Sequence, residues 1–436
     1  MKVKFDRILG KIKPMHAVGG APYYANNYDL CHYLQEAHIP YSRLHDQGID
    51  AMRPKVDIPR IFPNFEADVN DPASYDFEFT DHMLSELLKY DCVPYYRLGV
   101  TIENAVRQGF KPRNIYPPAD FQKWAEICEH IIRHYNEGWA DGFHYDLKYW
   151  EIWNEPENGY PGAPVKRMNQ CWLGTKEEFY EFYGTVAKHL RRCFGDTIKI
   201  GGYAACTMYG FFPDEVPPSR ADGSAAYRVE FFEGFLDYAQ KNNVPLDFFT
   251  WHSYWDTPHN FIMAKKFREH LDAYGFTHTE SHFNEWNTHY TVEERGTAEA
   301  AAHTAAVMLG MQDLPVDMLM YYDARFGTSV YGGLFNCENR QPYPTYYALK
   351  AFGELYVLGQ QAECIIEEEG LYAVAATDGE KQAVMISNIG EDVTLTTGLS
   401  GFDVYLADGE HPLEKLDLNS RQFKLRANQI ALLKRG

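Results

Sequence analysis

Two glutamates stand at the ends of aromatic, strand-like runs: Glu155 in YWEIWNEPENGY (149–160) and Glu285 in SHFNEWN (281–287). In the first run Trp150, Ile152 and Trp153 suit a strand. Pro156 stops it, because proline has no N–H to donate to a ladder. Glu155 is thereby set at or just past a strand end, either as a solvated loop charge or as a group placed to do chemistry. Two carboxyl groups facing each other could cleave a glycosidic bond. One protonates the leaving oxygen while the other attacks, or activates water. The alternative is a pair of ordinary loop glutamates, and the elements that carry them must decide.

Those elements alternate. Candidate strands are MHAVGG (15–20), PYSRLH (40–45), VPYYRLG (93–99), LKYWEIWN (147–154), IKIGGYA (198–204), DFFTWHSY (247–254), THTESHFNE (277–285) and DMLMYYD (317–323). Helix-like segments lie between them, such as 121–138 and 176–195. In the latter, Phe179, Phe182, Tyr183, Val186 and Leu190 recur at steps of three and four, one apolar helical face. Eight such repeats predict an α/β chain folded as a (β/α)8 TIM barrel over 14–360. An open doubly wound sheet should bring a glycine-rich phosphate turn, and neither G-x-G-x-x-G after the first strand nor a P-loop occurs. Beyond residue 360 short strands and turn signals such as Asp378-Gly379 and Asp408-Gly409 predict a small antiparallel β-sandwich domain, 361–436, joined by about residues 1–13.

On this plan Glu155 closes the fourth barrel strand and Glu285 the seventh, across the mouth from each other. Long connections after His45, Glu155 and Tyr203 rise from the same C-terminal face, where barrel enzymes build their sites. Glu151 lies four residues before Glu155, so strand alternation turns both inward. An inward carboxylate needs a partner, and Arg43 on the second strand is the candidate. Otherwise Glu151 points outward.

Composition narrows the partners. The formal net charge is −20, which argues against a nucleic-acid backbone or an anionic membrane surface. No run approaches the roughly 18 apolar residues of a membrane span, and MKVKFDRILGKIKPMHAV has no secretory apolar core. Eight scattered cysteines without Cys-x-x-Cys suggest thiols in a reducing cytoplasm. Aromatic residues make up 15% of the chain, enough for a large core or for flat faces that stack on sugar rings. They could equally meet a second subunit in a homo-oligomer.

WNEP at 153–156 and NEWN at 284–287 resemble the retaining glycoside hydrolases of clan A, and within that clan family 39, the β-xylosidase and α-L-iduronidase family. The early VGGAP, RLHD at 43–46, HSY at 252–254 and the small C-terminal β-domain support this resemblance, which covers nearly the whole chain. It implies that Glu155 is the acid/base and Glu285 the nucleophile. Two features depart from the family: the nucleophile follows Asn284 rather than Thr, and the strand-8 exit DARFGTSVYGG lacks the acidic loop of the xylosidases.

The neighbours then acquire roles. Asn154 could bond a sugar 2-hydroxyl, and Tyr254 could donate its phenol to Glu285. His45 and His252 are hydroxyl-binders or structural histidines. Trp286 and Trp255 are sugar platforms or core. Glu155 should have a raised pKa from burial and the charge of Glu285, which itself should stay ionised.

A metal hydrolase would want His-x-His on an early strand, which is absent, and HTESH (278–282) spaces its ligands too widely on a strand. Neither metal nor cofactor is expected. The chain therefore reads as a retaining exo-glycosidase acting on a glycoside or oligosaccharide, with β-xylosidase first. The alternatives are α-L-arabinofuranosidase, or α-L-iduronidase with Arg97, Arg325 or Lys166 facing a sugar carboxylate. From another class, a non-catalytic carbohydrate-binding barrel would keep the same elements.

Overall fold

The computed structural model describes residues 1–24, 28–47, 55–100, 115–158, 171–218, 223–289, 291–326 and 331–436. Eight strands close a barrel in chain order: Ala17–Gly19, Tyr41–Leu44, Val93–Leu98, Tyr149–Ile152, Lys199–Ala205, Phe248–Ser253, Glu280–Trp286 and Met318–Tyr322. All eight pairings are parallel, the eighth strand returning to the first. Each strand expected from the sequence overlaps one of these.

Alternation sorts the side chains into two separate cores. Trp150, Ile152, Trp251 and Phe283 pack against helix residues such as Trp124, Phe179, Phe182 and Phe267 in the shell around the barrel. Ala17, Tyr95, Phe248, Met318 and Met320 form a second buried cluster, with Tyr41 and Tyr149 against it, that plugs the lower barrel. Gly19 has no room for a side chain there, since a Cβ would lie 2.6 Å from the Tyr322 ring.

The helices start where the local chemistry tells them to. Phe121–Glu137 is capped by the Asp120 side chain, which accepts the Lys123 N–H, and ends at Gly138 with φ 76°. Lys176–Phe194 begins with a reciprocal box: Thr175 Oγ1 accepts the Glu178 N–H and the Glu178 carboxylate accepts the Thr175 N–H.

Past helix Pro344–Leu358 the chain builds a seven-stranded antiparallel sheet and a two-stranded ribbon, Val393–Thr396 with Gln422–Leu425. The N-terminal strand Lys2–Lys11 pairs antiparallel with Gln360–Ile365 and so belongs to this sheet. Leu395, Phe423 and Leu425 of the ribbon cover one face through Val384, Ile386 and Leu433. The opposite face, with Ala383, Met385 and Leu432, joins the barrel's outer core. The short strands Glu414–Leu416 and Gln422–Leu425 were not legible in the sequence, because their polar composition carries little strand signal without the partner strand.

None of the eight cysteines forms a disulfide. Among the described residues no helix is long and apolar enough to cross a membrane.

At the barrel floor Glu280 binds Lys199 and accepts Tyr149 Oη–H at 3.0 Å, with His282 Nε2 at 3.2 Å. Burial alone would raise its carboxyl, but His282 and Lys199 outweigh that and bring it to about 2. A depressed folded-state pKa stabilises the fold above the ordinary carboxylate value and loses that contribution as pH falls toward about 2. Glu280→Gln should therefore lower the urea midpoint at pH 7 and converge with the parent protein near pH 2.5, as read by paired urea titrations.

Candidate active site

Two local distortions aim the catalytic-looking side chains. The fourth strand ends at Ile152, and Trp153 and Glu155 take φ of 70° and 45°, the left-handed region that non-glycine residues rarely occupy. Several contacts hold them there. Trp153 donates its N–H to Leu98 O and its indole N–H to Cys171 O, both at 2.8 Å. The Glu155 N–H is shared between Tyr203 O and Ala204 O at 3.2 and 3.1 Å. The chain therefore turns over the barrel mouth instead of rising from it. On the seventh strand the register against the sixth shifts between Phe283 and Glu285. Such a bulge re-aims a side chain, and here both Asn284 and Glu285 reach inward.

Arg43 is wholly buried and binds three partners at once. Nε donates to Glu151 Oε2 at 2.7 Å, Nη1 to Glu285 Oε2 at 3.1 Å and Nη2 to Asn154 Oδ1 at 2.6 Å. The other Glu151 oxygen accepts from Asn284 Nδ2 at 2.6 Å. Glu151 thus points inward and is paired. Because Asn154 spends its oxygen on Arg43, its NH2 is the end that can face a ligand.

Glu285 and Glu155 are 3% and 7% exposed. Glu285 Oε1 accepts the Tyr254 phenol at 2.5 Å. His252 lies between the two glutamates, Nδ1 at 2.8 Å from Glu155 Oε1 and Nε2 at 3.5 Å from Glu285 Oε2. A carboxylate oxygen of each glutamate and a ring nitrogen of His252 all lie within 4.8 Å of one another. The surrounding polar atoms suit anions rather than a cation, since Arg43, Tyr254 and Asn158 already donate to the carboxylate oxygens.

The charge states reverse the sequence-based expectation. Burial raises the Glu155 carboxyl, but the His252 hydrogen bond and charge, then Arg228 and Asn158, overcome it and bring it to about 2. Burial raises Glu285, opposed by His252 and Arg43 and assisted by the charge of Glu155. The cause is the imidazole between them, which no local pattern announces. The Glu155 carboxyl, which was expected to carry a proton, is therefore held toward its ionised form in the resting arrangement.

Other expectations resolve differently. Trp286 is fully buried, stacked 5.8 Å from Phe283 and edge-on to Tyr321 at 5.5 Å. It is core rather than a platform, because Glu285 takes the inward direction and its neighbour must face the helices. Trp255 is partly exposed, stacked on His259 at 3.9 Å beside Tyr209 and Phe212. His45 is buried with Nδ1 lacking a hydrogen-bond partner, and burial, then Arg43 and Arg97, hold it well below the usual imidazole value. Arg97 donates to Asp57 at 2.8 Å and Arg325 to Asp323 through Nε at 2.9 Å. Lys166 and parts of all three long loops lie outside the described residues. Asn158, Glu157 and Arg228 were missed; the first two sit in the quoted loop, but Arg228 comes from helix Ser224–Lys241, with no local signal.

A parallel barrel with paired, buried glutamates across its C-terminal mouth is a glycosidase-type architecture, and comparison with known proteins makes this specific. The model of glycosyl hydrolases family 39 matches residues 1–322, and the chain belongs to that family. A β-xylosidase of Caldicellulosiruptor saccharolyticus is 23% identical over 358 residues, 73% of this chain and 65% of that protein. One of Geobacillus stearothermophilus is 23% identical over 356 residues, 72% and 64% of the respective lengths. The chain therefore spans less than two thirds of these curated relatives. Among solved structures, a glucosidase from Croceicoccus marinus superposes with a TM-score of 0.76 at 22% identity, covering 99% of this chain and 97% of the other. A monomeric β-xylosidase from Caulobacter crescentus gives 0.69 at 15% identity, covering 99% and 98%. At those identities the structures show a shared fold.

Two consequences can be measured. Removing Arg43 leaves two carboxylates in the barrel without their cation, so Arg43→Met should cost about 3–5 kcal/mol in urea unfolding. Tyr254→Phe withdraws a donor from Glu285, whose pKa must then rise. The acid limb of the kcat/KM profile should move to higher pH, because less of Glu285 is ionised at any given pH.

Proposed function

We propose that this chain is a retaining exo-glycosidase, with β-xyloside as the first substrate. The carrying observation is the separation of the two buried carboxylates, whose nearest oxygens lie within 4.8 Å. Retaining sites place the groups about 5–5.5 Å apart, whereas inverting sites need about 6.5–9.5 Å to admit a water.

In the first step Glu285 attacks the anomeric carbon while Glu155 gives a proton to the departing oxygen, and the sugar becomes an ester of Glu285. In the second, Glu155 takes a proton from water as the water attacks that carbon, and Glu285 leaves as carboxylate. Arg43 and Tyr254 favour the ionised nucleophile at the start and at the end. A substrate that expels water from the mouth disfavours the charged form of Glu155 and so raises its carboxyl toward the protonated form that the first step needs. When Glu285 is esterified its negative charge is gone, which favours the Glu155 carboxylate that the second step needs as base.

The names of the curated relatives support xylose as the sugar. Uronide recognition is less favoured, since Arg97 and Arg325 are each held by an aspartate. We infer a cytoplasmic setting from eight cysteines without disulfides.

A panel of aryl glycosides tests this with wild type, Glu155→Ala and Glu285→Ala, each with and without azide. Loss of acid/base assistance should lower kcat/KM about 10²–10⁴-fold on poor leaving groups, with azide restoring turnover of Glu155→Ala to a β-glycosyl azide. Glu285→Ala should give no retained product. Wild-type-like activity in both variants would sink the assignment.

A further inference from the structure

Glu155 does not depend on His252 alone. Its second oxygen, Oε2, accepts a hydrogen bond from Asn158 Nδ2 at 2.8 Å. The direction of that amide is dictated. Arg228 Nη2 lies 3.3 Å from Asn158 Oδ1, and a guanidinium has donors only. The amide oxygen must therefore face Arg228, and the NH2 must face Glu155.

Both neighbours are fastened in turn. Arg228 is 3% exposed and its Nη1 donates to Thr207 O at 2.9 Å. Glu157 is 1% exposed, and its Oε1 accepts the Cys206 N–H at 2.6 Å, while Oε2 is buried without a hydrogen-bond partner. The Asn158 N–H bonds to Glu155 O at 3.0 Å, closing a Glu-Pro-Glu-Asn turn. One four-residue turn thus carries the acid/base and its support. It is tied to the exit of the fifth barrel strand and to helix Ser224–Lys241.

The charges agree with the geometry. Glu155 faces His252, Arg228 and Glu285; Glu157 faces Arg228, Glu155 and, across the packing, Tyr180, Tyr203 and Tyr227. Burial pushes Glu157 up to about 8 against the pull of Arg228. The raised carboxyl favours the neutral form of Glu157, which leaves more of the Arg228 charge to act on Asn158 and Glu155.

We propose that Asn158, oriented by Arg228 and anchored through Glu157, is a positioning residue that selects which oxygen of Glu155 carries the catalytic proton. Oε2 is kept as an acceptor, so the proton enters and leaves at Oε1, on the His252 side. Asn158 need not touch the sugar. The proposal rests on Glu155 being the acid/base.

The test compares two aryl glycosides of a sugar that the wild type cleaves, a dinitrophenyl glycoside whose leaving group departs without a proton and a phenyl glycoside whose leaving group needs one. Asn158→Ala should lower kcat/KM for the phenyl glycoside by about tenfold or more and for the dinitrophenyl glycoside by less than about threefold. Asn158→Asp replaces the donor by an acceptor beside Glu155 and should separate the two substrates further. The ratio of the two rates on one preparation does not depend on how much of the variant is folded. A ratio unchanged from wild type in both variants overturns the proposal. Glu155→Ala is measured alongside: an unchanged ratio there overturns the acid/base assignment itself, whereas a changed ratio there with unchanged Asn158 variants overturns only the positioning role.

Discussion

One buried guanidinium organises the upper barrel. Arg43 has no exposure to water and is surrounded by Glu151, Glu285 and Asn154, so each of its three nitrogens has an acceptor. Taking a charge out of water costs several kcal/mol unless it is paired and hydrogen-bonded. The partners come from the fourth and seventh strands and the turn after the fourth, and only a closed barrel brings them together. The cation that would be most costly to leave unmet is therefore also the one that ties Glu285 to the fourth strand. Closure and active-site geometry are coupled through a single side chain.

Around that cation the chain uses irregular backbone to aim carboxyl groups. Regular strands would send alternate residues outward, and Asn284 and Glu285 could not both face the mouth. The bulge between Phe283 and Glu285 lets them, and the left-handed turn at Trp153 and Glu155 does the corresponding work on the fourth strand. Each distortion is held by buried rings on the outer side: Trp286 beside Phe283, and Trp153 within the Trp124, Trp172 and Phe182 cluster. The aromatic richness of the sequence thus goes largely into bracing the site from behind. The unfavourable backbone conformations stand at the barrel mouth and are balanced by packing around them.

Much of this was legible in the sequence. All eight barrel strands and the helices at 121–138 and 176–195 follow from the alternation and periodicity of apolar residues, because that signal is local. The two glutamates follow from proline punctuation and from their spacing across three strand–helix units. The inward direction of Glu151 and its pairing with Arg43 follow from alternation and the demand that a buried charge be met. Trp286 could not be assigned, since a strand-end tryptophan packs in or out according to a bulge that sequence does not mark. The pKa order of Glu155 and Glu285 was inverted for a similar reason: it depends on an imidazole from the sixth strand standing between them.

The sequence by itself determined the architecture and which carboxyl groups stand at the barrel mouth, because residue periodicity, proline stops and charge burial are properties of short segments. The tertiary structure alone decided how far apart the two carboxyls stand and in which direction burial and neighbouring charges push each of them. It also decided what holds the Glu155 carboxylate from behind. Those depend on side chains such as His252 and Arg228, which lie 97 and 70 residues from their partners Glu155 and Asn158. At such separations no local rule applies, and distance in space is set by the closed barrel.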